Sequence, residues 1–164
     1  MKKFLVTTVI ALALFVLAPA AAWAQPGAKR GPDVVRDADM EKDSLHNLEV
    51  AREYFKLRKA YVAALQRCEE IIAGNVTFSK IDEALYIAGK SELYLSQGKG
   101  KQKPSMYVRH EGNEKRTLTP EEFRAEARAY LSQLIDGYPD SKFKSEAVED
   151  LKSLGGPLPK DSKQ

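Results

Sequence analysis

Apolar residues recur at three- and four-residue spacing through most of the chain, the signature of amphipathic helices. Leu45, Leu48, Ala51, Tyr54 and Phe55 begin the pattern, with Asp43 or Ser44 as a suitable N-cap. The phase then runs on through Tyr61, Ala64, Leu65, Cys68, Ile71 and Ile72, and neither Gly nor Pro intervenes before Gly74. One helix of about 30 residues and a hairpin of two shorter ones both satisfy this stretch. A further helix is signalled by the cap-like Ser79-Lys80-Ile81-Asp82, carries Ala84, Leu85, Ile87, Ala88, Leu93 and Tyr94, and should end at Gly98. Thr119-Pro120-Glu121-Glu122 is the sharpest boundary: Thr as N-cap, Pro at the first helical position, acids in the first turn. That helix reaches Gly137. Asp140 or Ser141 then caps a last one bearing Phe143, Ala147, Val148, Leu151 and Leu154, stopped by Gly155-Gly156-Pro157. The pattern predicts an all-α fold of about five helices.

Residues 97–118 break the rhythm where a compact helical array needs only a short connection. The basic, glycine-rich run from Gln97 to Pro104 lacks phosphate-loop spacing and no strand precedes it, so it reads as a solvated loop. From Met106 to Leu118 the polarity alternates around Glu111-Gly112-Asn113-Glu114, which suits a small β-hairpin turning at Gly112-Asn113. Tyr107, Arg109, His110 and Arg116 would line an exposed ribbon and are the candidate binding residues, for a partner chain or an anionic glycan.

The first residues have the form of an export signal. Lys2 and Lys3 precede an apolar run from Phe4 to Ala18, and Ala22-Trp23-Ala24 forms a small-x-small cleavage site before Gln25. The stretch to Ala24 is also of the length, about 20 residues, that a retained anchor needs; Pro19 and the alanine-rich end favour cleavage after Ala24. No cysteine stands near that site to accept a lipid. Residues 1–24 are therefore assigned as signal peptide, and the chain as periplasmic or secreted. No membrane span is expected after cleavage, and peripheral membrane association stays open. Beyond Ala24 there are 140 residues, enough for one domain with a core, and 24 basic side chains against 23 acidic ones. The resulting charge of +1 gives no case for nucleic acid. Residues 25–43 read as a flexible lead-in and 157–164 as a disordered tail, around a helical domain at 44–156. Asp33, Asp37, Asp39, Glu41 and Asp43 lack the glycine bend and closing glutamate of a calcium loop, so no metal is expected. Cys68, the only cysteine, excludes an intramolecular disulfide and falls on an apolar stripe.

Two stretches echo each other: Ala64 matches Ala127, Ile71 matches Leu134, Ile72 matches Ile135, Val76 matches Pro139, and Ala84 matches Ala147. Small residues at this spacing let paired helices approach closely, while Tyr61, Tyr86 and Tyr130 can fill wider gaps. The residues that carry the repeat also carry a resemblance. Tyr61-x-x-Ala64, Ile71-Ile72, Glu83-Ala84-Leu85-Tyr86 and Gly89, followed by Ala127-x-x-Tyr130, Leu134-Ile135, Tyr138-Pro139-Asp140-Ser141 and Ala147, resemble the tetratricopeptide-type repeats of the outer-membrane assembly lipoproteins, the BamD-like or YfiO-like family. The chain departs from that family in lacking the lipid-bearing cysteine, in placing Arg58 and Lys59 where a turn glycine is common, and in Val76 at the corner proline. The resemblance implies antiparallel helix pairs with a turn near Leu57 to Ala60. It also implies a scaffold that holds protein partners during outer-membrane or envelope assembly.

No catalytic constellation emerges. His46, His110 and Cys68 lie far apart in sequence, and Ser141-Lys142-Phe143-Lys144 lacks the companion motifs of penicillin-recognising enzymes. The expectation is a binding scaffold of the envelope without enzymatic activity or cofactor. The alternative is an accessory subunit or small enzyme acting on cell-wall glycan through residues 97–118.

Overall fold

A computed structural model of the protein describes residues 37–112 and 114–159. The assigned signal peptide, most of the lead-in and the end of the tail lie outside the described residues. Helix α1 spans Ala38–Arg52, and the Asp37 carboxylate caps it by accepting from the Asp39 and Met40 N–H groups at 3.0 Å. The helix thus starts ahead of Asp43, within the expected lead-in. Its first turn is polar and stabilised by its cap and by Asp39 and Glu41 at the positive end of the dipole, so it leaves no apolar period to read.

The long apolar stretch resolves into two helices. A six-residue π-helical turn, Glu53–Arg58, leads into Lys59, whose φ of 49° lies in the left-handed region, and α2 then runs Tyr61–Gly74. The hydrophobic phase survives the break because the corner itself packs: Phe55 lies 5.5 Å from Tyr61 between ring centroids, and Tyr94 closes over both. Helix α3 spans Ile81–Ser96. Ser79 does not cap it: Lys80 takes the cap position without a side-chain bond, and the Ser79 N–H donates to the Glu41 carboxylate at 3.3 Å. Gly98, at φ 65°, follows the end of α3. Helix α4, Pro120–Gly137, opens on a complete capping box between Thr119 and Glu122. Helix α5 spans Lys144–Ser153. Its cap, Phe143, falls two or three residues later than expected, so Ser141 supports the approach rather than the cap, accepting from the Phe143 N–H and donating to Asp82 at 2.7 Å.

Each helix reverses against the one before. Asn75 beyond α2 reaches back to Ser44 in the first half of α1, Tyr61 at the start of α2 meets Tyr94 near the end of α3, and Asp82 at the start of α3 holds Ser141 beyond α4. The fold is accordingly all-α, built of antiparallel helix pairs with a hairpin inserted between α3 and α4. Helix α3 also runs alongside α5 in the same direction, joined by rungs one turn apart, Tyr86 to Glu146 and Lys90 to Asp150. The repeat is visible in burial: Ala64 and Ala127, Ile71 and Leu134, and Ala84 and Ala147 are buried, Ile72 and Ile135 half-buried, Val76 and Pro139 exposed. Tyr61, Tyr86 and Gly89 are buried and Tyr130 half-buried. Gly89 marks a close crossing of α3 and α4, because a Cβ there would stand 2.8 Å from Leu131 Cγ. The buried apolar side chains run from Leu48 to Leu151, and the described residues form a compact unit with its own core. No described helix is long and apolar enough to cross a membrane. The start of the expected tail is tied down, with Arg128 donating to the Gly156 and Pro157 carbonyls and the Leu158 N–H to Ser132.

Candidate functional site: the docked insertion

After α3 the chain makes a single turn of tighter helix at Pro104–Met106 and then the strands β1, Val108–Glu111, and β2, Glu114–Thr117. They pair antiparallel with Glu111 opposite Glu114, so the chain turns between those two residues, and Gly112 takes the left-handed φ of 62° that such turns demand. Side chains on a strand alternate faces, and directly opposed residues share one. Arg109 opposes Arg116 on one face, while Val108 opposes Thr117 and His110 opposes Lys115 on the other.

The first face is not free. Arg109 donates to Glu126 at 2.9 Å and Arg116 to Glu122 at 2.7 Å, both acceptors on one side of α4 four residues apart. Two arginines side by side would repel; the two acids beneath them offset that repulsion. Tyr107, just ahead of β1, is 5% exposed, packs its ring 5.8 Å from Phe123, and donates its hydroxyl to Glu69 on α2 at 2.6 Å. Leu118, at the far end, is buried too. The expectation of a ribbon exposing Tyr107, Arg109, His110 and Arg116 is therefore corrected: Tyr107 is core, Arg109 and Arg116 are half-buried ion-pair partners, and only His110 of the four is exposed. Period-two alternation was available in the sequence, but which face met the helices depended on α4, whose acids are distant in the chain.

Beneath the hairpin lies a polar layer that the sequence did not indicate. Glu69 of α2, Glu92 of α3, and Glu126 and Tyr130 of α4 surround it, with Tyr107 and Arg109 as its roof. Glu92 is fully buried and neither carboxyl oxygen finds a hydrogen-bond partner among the described residues. Desolvation pushes it up to about 9, helped by the negative charges of Glu69 and Glu126 and opposed by Arg109. It is therefore a neutral acid at pH 7. Glu69 is raised by burial as well, against the hydrogen bond from Tyr107, and Arg109 is raised, the bond to Glu126 and that to Tyr107 outweighing its burial. Glu92 thus keeps a proton beneath a hairpin that Glu69, Glu122 and Glu126 hold in place.

Elsewhere the surface offers a cleft of about 340 Å³ at the corner between the helix pairs, lined by Ser79, Asp82 and the Gly137 to Ser141 turn. Among the described residues no group of three or more His, Cys, Asp and Glu is arranged to hold a metal. Cys68 is buried and its thiol is pushed up by desolvation. Compared with known proteins, the chain matches no family model, no curated protein and no solved structure. The face of the hairpin turned away from α4 consists of Val108, His110, Lys115 and Thr117, all exposed.

Proposed function

We propose that the protein is an exported, non-enzymatic binding scaffold of the cell envelope, whose helix pairs hold the hairpin in a fixed orientation and whose hairpin engages a protein partner. One observation carries this reading: the inner face of the hairpin is fastened to α2 and α4 by Tyr107, Arg109 and Arg116, while Val108, His110, Lys115 and Thr117 are presented outward. A short, pre-ordered ribbon on a rigid helical frame binds without a large ordering cost, and a two-stranded edge accepts an added strand. The helical pairs agree with the scaffold reading that the repeat residues imply, and outer-membrane or envelope assembly follows from that resemblance alone.

The test is capture of partners from an envelope extract by residues 34–164 bearing His110→Ala, Lys115→Ala and Val108→Ser together. These positions are exposed, so the variant should melt as the wild type does. Loss of a partner that the wild type retains supports the reading. Undiminished capture removes the hairpin from it, and retention of wall glycan in place of protein moves the protein to the glycan-associated alternative. Export is checked separately: Trp23 is the sole tryptophan, so cleaved protein should begin at Gln25 and show tyrosine emission only.

A further inference from the structure

Two basic segments remote in sequence meet at one corner of the helical stack. The Lys101 N–H donates to the Lys59 carbonyl at 2.9 Å, and the Ala63 N–H donates to the Gln102 side chain at 3.1 Å. Gly100, at φ 98°, passes so close to α2 that a Cβ there would stand 2.6 Å from the Tyr61 ring. These contacts fasten the loop after α3 onto the turn between α1 and α2. The result sets Lys56, Arg58 and Lys59 beside Lys99, Lys101 and Lys103, all exposed. Glu53, bonded to Arg58 at 2.6 Å, is the sole acid within residues 53–59 and 97–103. Amid these cations Leu57 is 76% exposed, and among the described residues no large apolar side chain stands further out.

We propose that this corner docks onto an anionic phospholipid surface, with the lysines against the headgroups and Leu57 entering the acyl boundary. Charge complementarity supports the occupant: a cluster of four to eight cations is the size that recognises anionic lipid. The exposed apolar side chain between Lys56 and Arg58 favours a bilayer over a soluble polyanion, which would leave Leu57 in water. Five of the six cations are lysine, which contributes diffuse charge, and the one arginine is already engaged by Glu53 and stacked 5.4 Å from the Tyr54 ring. Tyr94, with Lys99 5.5 Å from its ring, adds an aromatic of the type found at membrane–water interfaces. Lys59 fits the same account. Glycine would hold its left-handed backbone at no steric cost, and lysine there contributes a charge to the cluster.

Residues 34–164, which carry their own core, are sedimented with vesicles of equal parts phosphatidylglycerol and phosphatidylcholine and with vesicles of phosphatidylcholine alone. Binding to the first only, lost as salt is raised, is the expected result and needs no variant. Combining Lys99→Gln, Lys101→Gln and Lys103→Gln should weaken it about 100-fold, from about fivefold per lysine. Leu57→Gln should weaken it severalfold while retention on heparin, which tests charge alone, stays unchanged. Far-ultraviolet circular dichroism of each variant confirms the fold. Absence of binding to anionic vesicles, equal binding to neutral ones, or an unaffected Leu57→Gln variant would overturn the proposal.

Discussion

The Tyr107 hydroxyl donates to the Glu69 carboxylate at 2.6 Å, joining a residue of the insertion to one of α2 that lies 38 positions earlier. That bond, with the Tyr107 ring against Phe123, turns what would be a surface loop into part of the core. An insertion held this way stiffens the frame as well as decorating it.

Tyr107→Phe keeps the ring contact and removes the donor, leaving a half-buried carboxylate short of one hydrogen bond. The loss should be about 1–3 kcal/mol. It should also raise amide exchange along Val108 to Thr117 more than along α5. Urea unfolding followed by hydrogen exchange measures both, and equal exchange in the two proteins would detach the hairpin from this bond.

Gly89→Ala tests the close helix crossing. Alanine improves helix propensity by about 1 kcal/mol, yet its Cβ would meet Leu131 Cγ at 2.8 Å, Leu131 Cδ2 at 2.9 Å and the Ala127 carbonyl at 3.3 Å. Overpacking of this kind typically costs about 1–3 kcal/mol, and the backbone oxygen cannot swing aside, so a net loss is expected. A thermal melt decides it; a higher midpoint than wild type would show that Leu131 repacks freely.

Glu92 gives the protein a pH dependence of definite sign. Its folded value, near 9, lies above its unfolded value near 4.5, so between those limits the folded state keeps a proton that the unfolded state has lost. Stability from this group is full below about pH 4.5 and falls by up to about 1.4 kcal/mol per pH unit as pH rises toward 9. Glu92→Gln retains the shape and removes the proton, so its melting temperature should vary less from pH 5 to 9 and exceed wild type at the alkaline end. Parallel wild-type and variant profiles would place the proton elsewhere.

Arg52 makes two bonds to the Glu83 carboxylate, at 2.6 and 2.7 Å, across the α1–α3 contact. Burial opposes ionisation of Glu83, but Arg52 holds its carboxyl below the usual range. Arg52→Ala would strand a nearly buried charge, and the expected loss is about 3 kcal/mol, at the low end for buried pairs because Arg52 keeps some contact with water. The double variant with Glu83→Gln should recover part of it. Denaturant titration of the three variants measures the coupling, and additivity would mean that the two side chains act independently.

The sequence by itself determined the helices that depend on local chemistry. Thr119-Pro120-Glu121-Glu122 closes its capping box from four consecutive residues, and Gly112 supplies the turn conformation of the hairpin without help from elsewhere. The repeat spacing was equally legible, because Ala64 with Ala127 and Ala84 with Ala147 are alike fully buried, where small residues let helices approach. The start of α1 was hidden for the opposite reason: Asp37 and the first-turn acids need no apolar partner.

Only the tertiary structure decided what depends on residues remote in the chain. Arg109 and His110 are neighbours in β1, yet one is paired and the other exposed because Glu126 lies beneath one face alone. Glu92 sits among residues that read as an ordinary helix, and its raised affinity for a proton comes from its burial beneath the docked hairpin and from the charges of Glu69 and Glu126, against the opposing charge of Arg109. The basic corner likewise exists because the Lys101 N–H meets the Lys59 carbonyl. Capping and periodicity act over a few residues and can be read along the chain; desolvation and charge act through space, and space is assigned by the fold.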